Sequence, residues 1–300
     1  PHAGLLAHRT MAPLLAAAFP AAPLLPGGRC ARAELAGVLV WGRKPSARLG
    51  ERLAARRGLP LWRLEDAFLR SLAPGSDPPL GLVLDDQGIY YDSGAPSRLE
   101  RLIAQPRSPA ERQRAEALIA LWCAQRVSKY NGAPEVGPPA EPFVLVVDQT
   151  AGDLSITLGG ASAASFQAML AAALARHPHC RVLVKTHPEV ALGRKRGHFS
   201  AAQLRHPRIQ LEASGGHPTA LLEQAEAVYV VTSQLGFEAL LWGKPVHCFG
   251  MPFYAGWGLT IDALPAPQRR AAAGPRQRND LVHAALIDYA VYVDPHRHQP

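Results

Sequence analysis

Between residues 143 and 249, short apolar runs alternate with amphipathic ones, and this alternation constrains the fold more than any other feature of the chain. Residues 143–147, 181–185, 209–211, 228–231 and 245–249 read as strands. Residues 162–176, 218–224 and 234–242 read as helices. A strand apolar on both faces must be covered on both, and strand followed by helix delivers parallel neighbours. The expectation is an α/β fold with a parallel sheet between helical layers, and no fixed-period repeat is visible.

A looser series precedes it. Residues 38–41 read as a strand stopping at Gly42, and residues 46–58 as an amphipathic helix with Ser46 as N-cap. Residues 59–64 are strand-like. Residues 82–84 and 89–91 flank Asp85-Asp86-Gln87-Gly88 and read as a hairpin. Residues 107–129 form a long helical stretch, residues 132–142 a Gly- and Pro-rich linker, and residues 279–289 a terminal helix. This divides the chain into residues 1–138, residues 139–276, and a helix and tail at 277–300 that packs back on the first part. A ligand belongs in the cleft between two such halves, at the C-terminal ends of the parallel strands.

Composition removes several classes. With 300 residues, 48% hydrophobic and 19% charged, the chain is long and apolar enough for a packed core and is not disordered. The 28 prolines lie largely in connecting stretches. The charge of +8 favours anionic partners such as phosphates, acidic sugars, an anionic membrane face or nucleic acid. Cys30, Cys123, Cys180 and Cys248 are scattered without metal-ligand spacing, as in a reducing cytoplasm. No apolar run is long enough to span a membrane, and the run at 11–25 carries Pro13, Pro20 and Pro23, which should break a helix. The chain begins with Pro1 rather than Met, as an excised segment would. Walker, Gly-x-Gly-x-x-Gly and Gly-x-Ser-x-Gly loops are missing, as are the aromatics of RNA-binding modules. His296 and His298 read as a polar tail, and Arg194-Lys195-Arg196 as a solvated charge run.

The residues able to do chemistry sit at strand ends. The loop Asp148-Gln149-Thr150-Ala151-Gly152-Asp153-Leu154-Ser155 offers acids, an amide and hydroxyls; a carboxylate there is a nucleophile, a base, or an ordinary helix cap. Lys185-Thr186-His187-Pro188 puts a cation and an imidazole where a phosphate would sit, with a surface turn as the alternative. Thr232-Ser233 opens a helix whose free N–H groups suit an anion, unless they merely cap it. Glu65 and Asp66 are adjacent acids able to raise one another's pKa, or a solvated pair. Arg43 and Lys44 follow a strand and can hold a carboxylate or phosphate, or occupy a surface turn.

Taken together, these segments resemble the KpsC-type capsule-polysaccharide β-Kdo transferases. The strings that carry the resemblance are WGRKPS at 41–46, LEDAFLRS at 64–71, GIYYD at 88–92, SKYN at 128–131, DQTAGDLS at 148–155, KTHP at 185–188, TSQLGFEAL at 232–240, FYAGWGL at 253–259 and ALIDY at 285–289. Each is weak alone; the ordered set covers nearly all of residues 38–295. Ala67 stands where the family usually has Gly, and a methyl there would crowd the acceptor or shift the loop. Val40 also stands where Gly is common.

The resemblance implies a GT-B-like fold of two Rossmann-type domains with an interdomain cleft, the first holding the acceptor and the second CMP-β-Kdo. It implies retaining transfer of Kdo to a Kdo-primed, phosphatidylglycerol-type lipid acceptor for the capsule linker, by double displacement. Asp153 would be the nucleophile and Glu65 or Asp66 the base. Gln149, Lys185, His187, Pro188, Thr232, Ser233, Gln234, Glu238 and Tyr254 would contact the donor. Arg43, Lys44, Arg70 and Lys129 would meet carboxylate or acceptor groups. No metal and no cofactor is expected beyond the CMP-Kdo substrate. The protein would work in the cytoplasm, peripherally at the inner face of the inner membrane, beside a second transferase module or other capsule assembly proteins. Overall similarity leans to the N-terminal of the family's two modules, and so to a β-2,4 rather than a β-2,7 linkage. The alternatives are a sialyltransferase-like or other nucleotide-sugar transferase, and a non-catalytic acidic-glycan-binding module. Nucleic-acid binding is the charge-based reading and is not favoured.

Overall fold

The computed structural model describes residues 11–18, 34–73 and 79–294; Cys30, Pro20, Pro23, His296, His298 and the rest of the tail lie outside the described residues. The chain runs through α1 (Met11–Ala18), β1 (Val38–Trp41), α2 (Ala47–Arg57), β2 (Leu61–Asp66), β3 (Gly81–Asp85), α3 (Arg98–Ala104) and α4 (Pro109–Ala124). It continues with β4 (Phe143–Val147), α5 (Leu154–Leu158), α6 (Ala163–Arg176), β5 (Arg181–Lys185), α7 (Pro188–Ala191), β6 (Ile209–Glu212), α8 (Thr219–Gln224), β7 (Val228–Val230) and α9 (Gln234–Leu241). After β8 (Val246–Cys248), β9 (Ile261–Asp262), α10 (Gln268–Ala273) and α11 (Arg278–Val282), a π-helix (His283–Tyr289) leads into β10 (Ala290–Tyr292).

The second sheet is parallel throughout, in the order β6-β5-β4-β7-β8-β9. Counted from β4, this is the Rossmann order 3-2-1-4-5-6, which places the topological switch between β4 and β7. Phe143–Val147 is buried along its whole length, as a central parallel strand must be. α6 starts on a reciprocal cap between Ser162 and Ser165.

The first sheet is mixed, in the order β1-β2-β3-β10. β1 and β2 run parallel, with Val38 beside Leu61 and Trp41 beside Leu64. β3 runs antiparallel to both β2 and β10. The sheet therefore draws its last strand from the far end of the chain.

Local readings fail here in instructive places. Residues 89–91 are not a strand, so the expected hairpin is absent: both edges of β3 are already taken, by β2 and β10. The buried Asp85 carboxylate instead accepts from the N–H groups of Gln87, Gly88 and Arg98, turning the chain into α3. The helix expected at 107–129 ends at Ala124, with Arg126 at φ 52°. The expected terminal helix changes to π winding at His283. Ser46 precedes α2 without a side-chain cap, whereas Gly58 closes it at φ 62°. α1 tolerates Pro13 because the first turn has no intrahelical N–H partner to lose.

The largest buried cluster takes Phe68, Val83, Leu99 and Ile103 from the first half, Phe143, Leu145, Phe237 and Phe253 from the second, and Tyr289 from the returning end. Arg270, 1% exposed, lies in an ion pair with Glu100 and donates to the carbonyls of Pro252 and Ala255. Such a buried pair is tolerable only with this many partners.

Candidate active site

β1 and β2 end side by side, bringing residues 41–45 and 65–66 to one edge. Trp41 Nε1 donates to Glu65 Oε1 at 2.9 Å. Gly42 sits at φ 47°, and a Cβ there would lie 2.4 Å from the Tyr91 hydroxyl and 2.7 Å from Glu65 Oε2, so only glycine fits. Burial pushes the Glu65 carboxyl up, and the neighbouring Asp66 adds to this; Lys44 and Lys129 oppose it. That is the direction a general base requires. Asp66 has a different setting: its Oδ2 accepts from Arg70 Nε at 2.7 Å. Arg70 also donates to Ser71 Oγ and lies over the Tyr130 ring.

The segment following β3 carries this edge to the second half. The Tyr91 hydroxyl accepts from Arg43 N at 3.0 Å. Arg43 pairs with Asp92 at 3.0 Å, and Lys44 lies 5.8 Å from the Trp41 ring centre. Ser93 donates through both N and Oγ to the Leu158 carbonyl, at 2.9 and 3.1 Å, which pins the segment to α5. Asp153 caps the other end of α5 by accepting from Ser155 N at 2.9 Å through Oδ1. At Tyr90, burial raises the phenol pKa first, and the charges of Glu65, Asp66 and Asp153 all push in the same direction. All of these act to keep the phenol protonated.

At the switch between β4 and β7, Gln149 and Thr232 lock together. Thr232 N donates to Gln149 Oε1 at 2.9 Å, Gln149 Nε2 donates to Thr232 Oγ1 at 3.0 Å, and Ser155 Oγ lies 3.0 Å from Thr232 Oγ1. Gln149 is buried and its amide is engaged on both sides, so it braces the loop rather than offering a free contact. Ser233 caps α9 through Leu235 N. The Tyr254 hydroxyl donates to the Ser233 carbonyl, and Gly236 leaves room for that side chain, since a Cβ would come within 2.3 Å of its hydroxyl.

Lys185 and His187 separate in the structure. Lys185 is 4% exposed and donates to the Gly216 carbonyl at 3.0 Å, while burial lowers its pKa. Its ammonium is thus engaged in the interior, whereas the sequence spacing implied that it would meet a phosphate together with His187. His187 is half-buried and caps α7, its Nδ1 accepting from Glu189 N at 3.1 Å, with Pro188 opening that helix. An accepting Nδ1 carries no proton, so the neutral ring holds its proton on Nε2. Burial first, then Lys129 and Lys195, lowers the ring to about 4, so it is neutral at pH 7; Asp153 opposes this.

Lys129 connects the halves electrostatically, its charge acting on Glu65, His187 and Glu238 alike. Glu238 is fully buried and accepts from Ser128 Oγ at 2.6 Å, Lys129 N at 3.3 Å and Gln234 Nε2 at 3.2 Å. Gln234 Nε2 also donates to the Phe68 carbonyl at 2.6 Å. Sequence reasoning placed Gln234, Glu238 and Tyr254 against the donor. In the structure Gln234 and Glu238 tie α9 to Phe68 and to Ser128 and Lys129, while the Tyr254 hydroxyl is spent on the Ser233 carbonyl at the start of α9.

Tyr90, Tyr91 and Ser155 lie within strings that carry the family resemblance but were given no role from the sequence, and Ser93 carried no signal there. Ala67 is 1% exposed and belongs to the largest buried cluster. Val40 packs against α2 at Gly50, where a Cβ would come within 2.4 Å of it.

A parallel Rossmann sheet facing a smaller mixed α/β layer, with acids and an imidazole at the strand ends between them, is a GT-B-like arrangement. The chain belongs to the capsule polysaccharide biosynthesis protein family, which it matches over residues 36–136 and 133–293. It is similar to the capsule polysaccharide modification protein LipA of Neisseria meningitidis serogroup B, at 41% identity over 276 residues, 87% of this chain and 39% of LipA. It is also similar to the lipopolysaccharide-processing protein LpsZ of Rhizobium meliloti, at 37% identity over 84% of this chain and 58% of LpsZ. The chain thus spans about two-fifths of the length of LipA. Among solved structures, the β-Kdo 2,4 transferase of Thermosulfurimonas dismutans KpsC superposes with TM-score 0.82 at 40% identity, covering 89% of this chain and 84% of that one. The β-Kdo 2,7 transferase of the same KpsC gives TM-score 0.71 at 29% identity, covering 95% and 90%.

Proposed function

We propose that this chain is a retaining β-Kdo transferase that moves Kdo from CMP-β-Kdo to a Kdo-bearing lipid acceptor in capsule polysaccharide synthesis. The observation that carries the reading is the pair of hydrogen bonds from Ser93 to the Leu158 carbonyl, which pins the Tyr91 segment beside Gly42 and Glu65 to α5, the helix that Asp153 caps, while His187 caps α7 at the end of the neighbouring strand β5. Membership of the capsule polysaccharide biosynthesis family and the superposition on both KpsC modules support it. The greater likeness to the 2,4 module favours a β-2,4 linkage.

In the first step the Asp153 carboxylate attacks C2 of Kdo, and the bond from C2 to the phosphate oxygen breaks, releasing CMP. The neutral His187 donates a hydrogen bond from Nε2–H to the departing phosphate and keeps its proton. The start of α9 at Thr232-Ser233 offers N–H groups to the same charge. In the second step Glu65 takes the proton of the acceptor hydroxyl, whose oxygen attacks C2 and displaces Asp153. Two inversions restore the β configuration. Lys129 offsets carboxylate charge between the halves. This sequence of steps uses no metal. Among the described residues no helix is long and apolar enough to cross a membrane, and the proposed lipid acceptor is met at the surface of the inner leaflet.

The test supplies CMP-Kdo generated in situ and a synthetic Kdo-bearing lipid, with products read by mass spectrometry and NMR. A product heavier by one β-linked Kdo is expected. Asp153→Ala should abolish turnover while CMP still binds; normal transfer by that variant overturns the nucleophile assignment. Absence of both product and CMP binding overturns the reading as a whole.

A further inference from the structure

We propose that His177, Cys180 and Glu226 form a binding site for a zinc-class divalent cation at the end of the second sheet remote from the candidate active site. One ligand atom from each of the three residues lies within 4.8 Å of the others. His177, the C-cap of α6, and Cys180, just before β5, lie three residues apart in one turn, and the fold brings Glu226, which precedes β7, to them. Lys185, His187 and Thr232 lie at the opposite ends of the same strands, so a five-residue strand of about 17 Å separates the cluster from the proposed chemistry.

The donor set is an imidazole, a thiol and a carboxylate, which suits a borderline cation such as Zn²⁺ and not Mg²⁺ or Ca²⁺. Cys180 Sγ lies 3.2 Å from Glu226 Oε2. Tetrahedral zinc, with Zn–S of about 2.3 Å and Zn–O of about 2.0 Å, separates its sulfur and oxygen by roughly 3.5 Å. A small outward movement therefore admits the ion. The Tyr229 hydroxyl holds His177 Nε2 at 3.0 Å and its ring meets the imidazole edge to face, fixing the imidazole as an outer partner does in metal sites. Cys180 is buried while Glu226 is exposed, so the site opens to solvent on the carboxylate side. Three protein ligands leave the fourth position to water. The Arg208 guanidinium already donates to the carbonyls of His177 and Leu174, both at 2.7 Å, so the end of α6 needs no further cap from the ion. Binding replaces the Sγ–H···Oε2 bond, and the thiol proton leaves to solvent. The ion would fasten the end of α6 to the starts of β5 and β7.

The experiment is a Co²⁺ titration of the full, untagged chain, followed by Zn²⁺ competition. One equivalent of Co²⁺ should give a thiolate-to-cobalt charge-transfer band and tetrahedral d–d bands, both erased by Zn²⁺. Cys180→Ser should remove the charge-transfer band, and His177→Ala and Glu226→Gln should each weaken binding at least tenfold. Zn²⁺ should raise the unfolding midpoint of the wild type and not that of Glu226→Gln. No band in the wild type, or a band that survives Cys180→Ser and so belongs to another thiol, overturns the site. If Cys180→Ser does not fold, unchanged Co²⁺ affinity in both other variants overturns it equally.

Discussion

Glu65 and Asp66 are neighbours in the chain with different surroundings, which separates their roles. Glu65 is held by the Trp41 indole and pushed up by burial, whereas Asp66 is paired with Arg70. Glu65→Gln should therefore cost more than 100-fold in kcat for acceptor transfer, while Asp66→Asn acts mainly by releasing Arg70 and costs less; steady-state kinetics with CMP-Kdo separates the two. Gly42→Ala should lower kcat at least tenfold, because the added methyl needs the space of Tyr91 and Glu65; a near-normal rate would show that the edge yields more than its packing implies. Glu238 gives a pH signature. Burial raises it from 4.5 in the unfolded chain to about 7, so between those values the folded state holds the extra proton. Its contribution is fully present below pH 4.5 and is lost as pH rises through 7. Glu238→Gln should flatten the decline of the unfolding midpoint between pH 5 and 7, measured by thermal scans across that window.

At the scale of elements, the helices read at 46–58, 107–129, 162–176, 218–224 and 234–242 form at least in part, whereas the short ones at 98–104, 154–158, 188–191 and 268–273 were not read from the sequence. Ser108 and Glu111 form a reciprocal cap with Pro109 at the first helical position, which starts α4 wherever it packs. Ser108→Ala should cost about 1 kcal/mol in urea unfolding and leave turnover unchanged, since the cap is exposed and touches no site residue. All five strands expected between residues 143 and 249 form, because a continuous apolar run between turn residues has few other uses in a chain of this kind. The failures are elements whose partner is remote. Residues 89–91 have strand composition and no free edge to join, and residues 125–129 leave the helix so that Ser128 can reach Glu238.

On the scale of the whole molecule, early and late described segments of the chain meet. β10 closes the first sheet and Val293 packs with Leu14, Leu15 and Leu82. Removing residues 290–300 should destabilise the protein by about 3 kcal/mol or more, since it strips one edge of β3 and part of that cluster; hydrogen exchange should show the β3 amides losing protection first. Gln234→Ala would cut the strut between α9 and the Phe68 carbonyl, and a fall in kcat of about tenfold with retained CMP affinity would place its effect on the alignment of the halves.

The sequence by itself determined the α/β class, the Rossmann series after residue 143, and the strand ends where chemistry collects. These follow from hydrophobic period and cap residues, which act over one or two turns of chain. It also put Glu65, Asp153 and His187 at such ends. What only the tertiary structure decided is which polar atoms are already engaged by partners within the fold. Gln149, Lys185, Glu238 and Tyr254 share the strand-end motifs, yet their hydrogen-bonding atoms are engaged by Thr232, Gly216, Ser128 and Ser233. A buried polar group must be satisfied by whatever the fold brings within about 3 Å, and most of those partners are tens of residues away in sequence. The same physics brings Glu226 to the turn that holds His177 and Cys180, 46 residues from Cys180 in sequence, as no local pattern records.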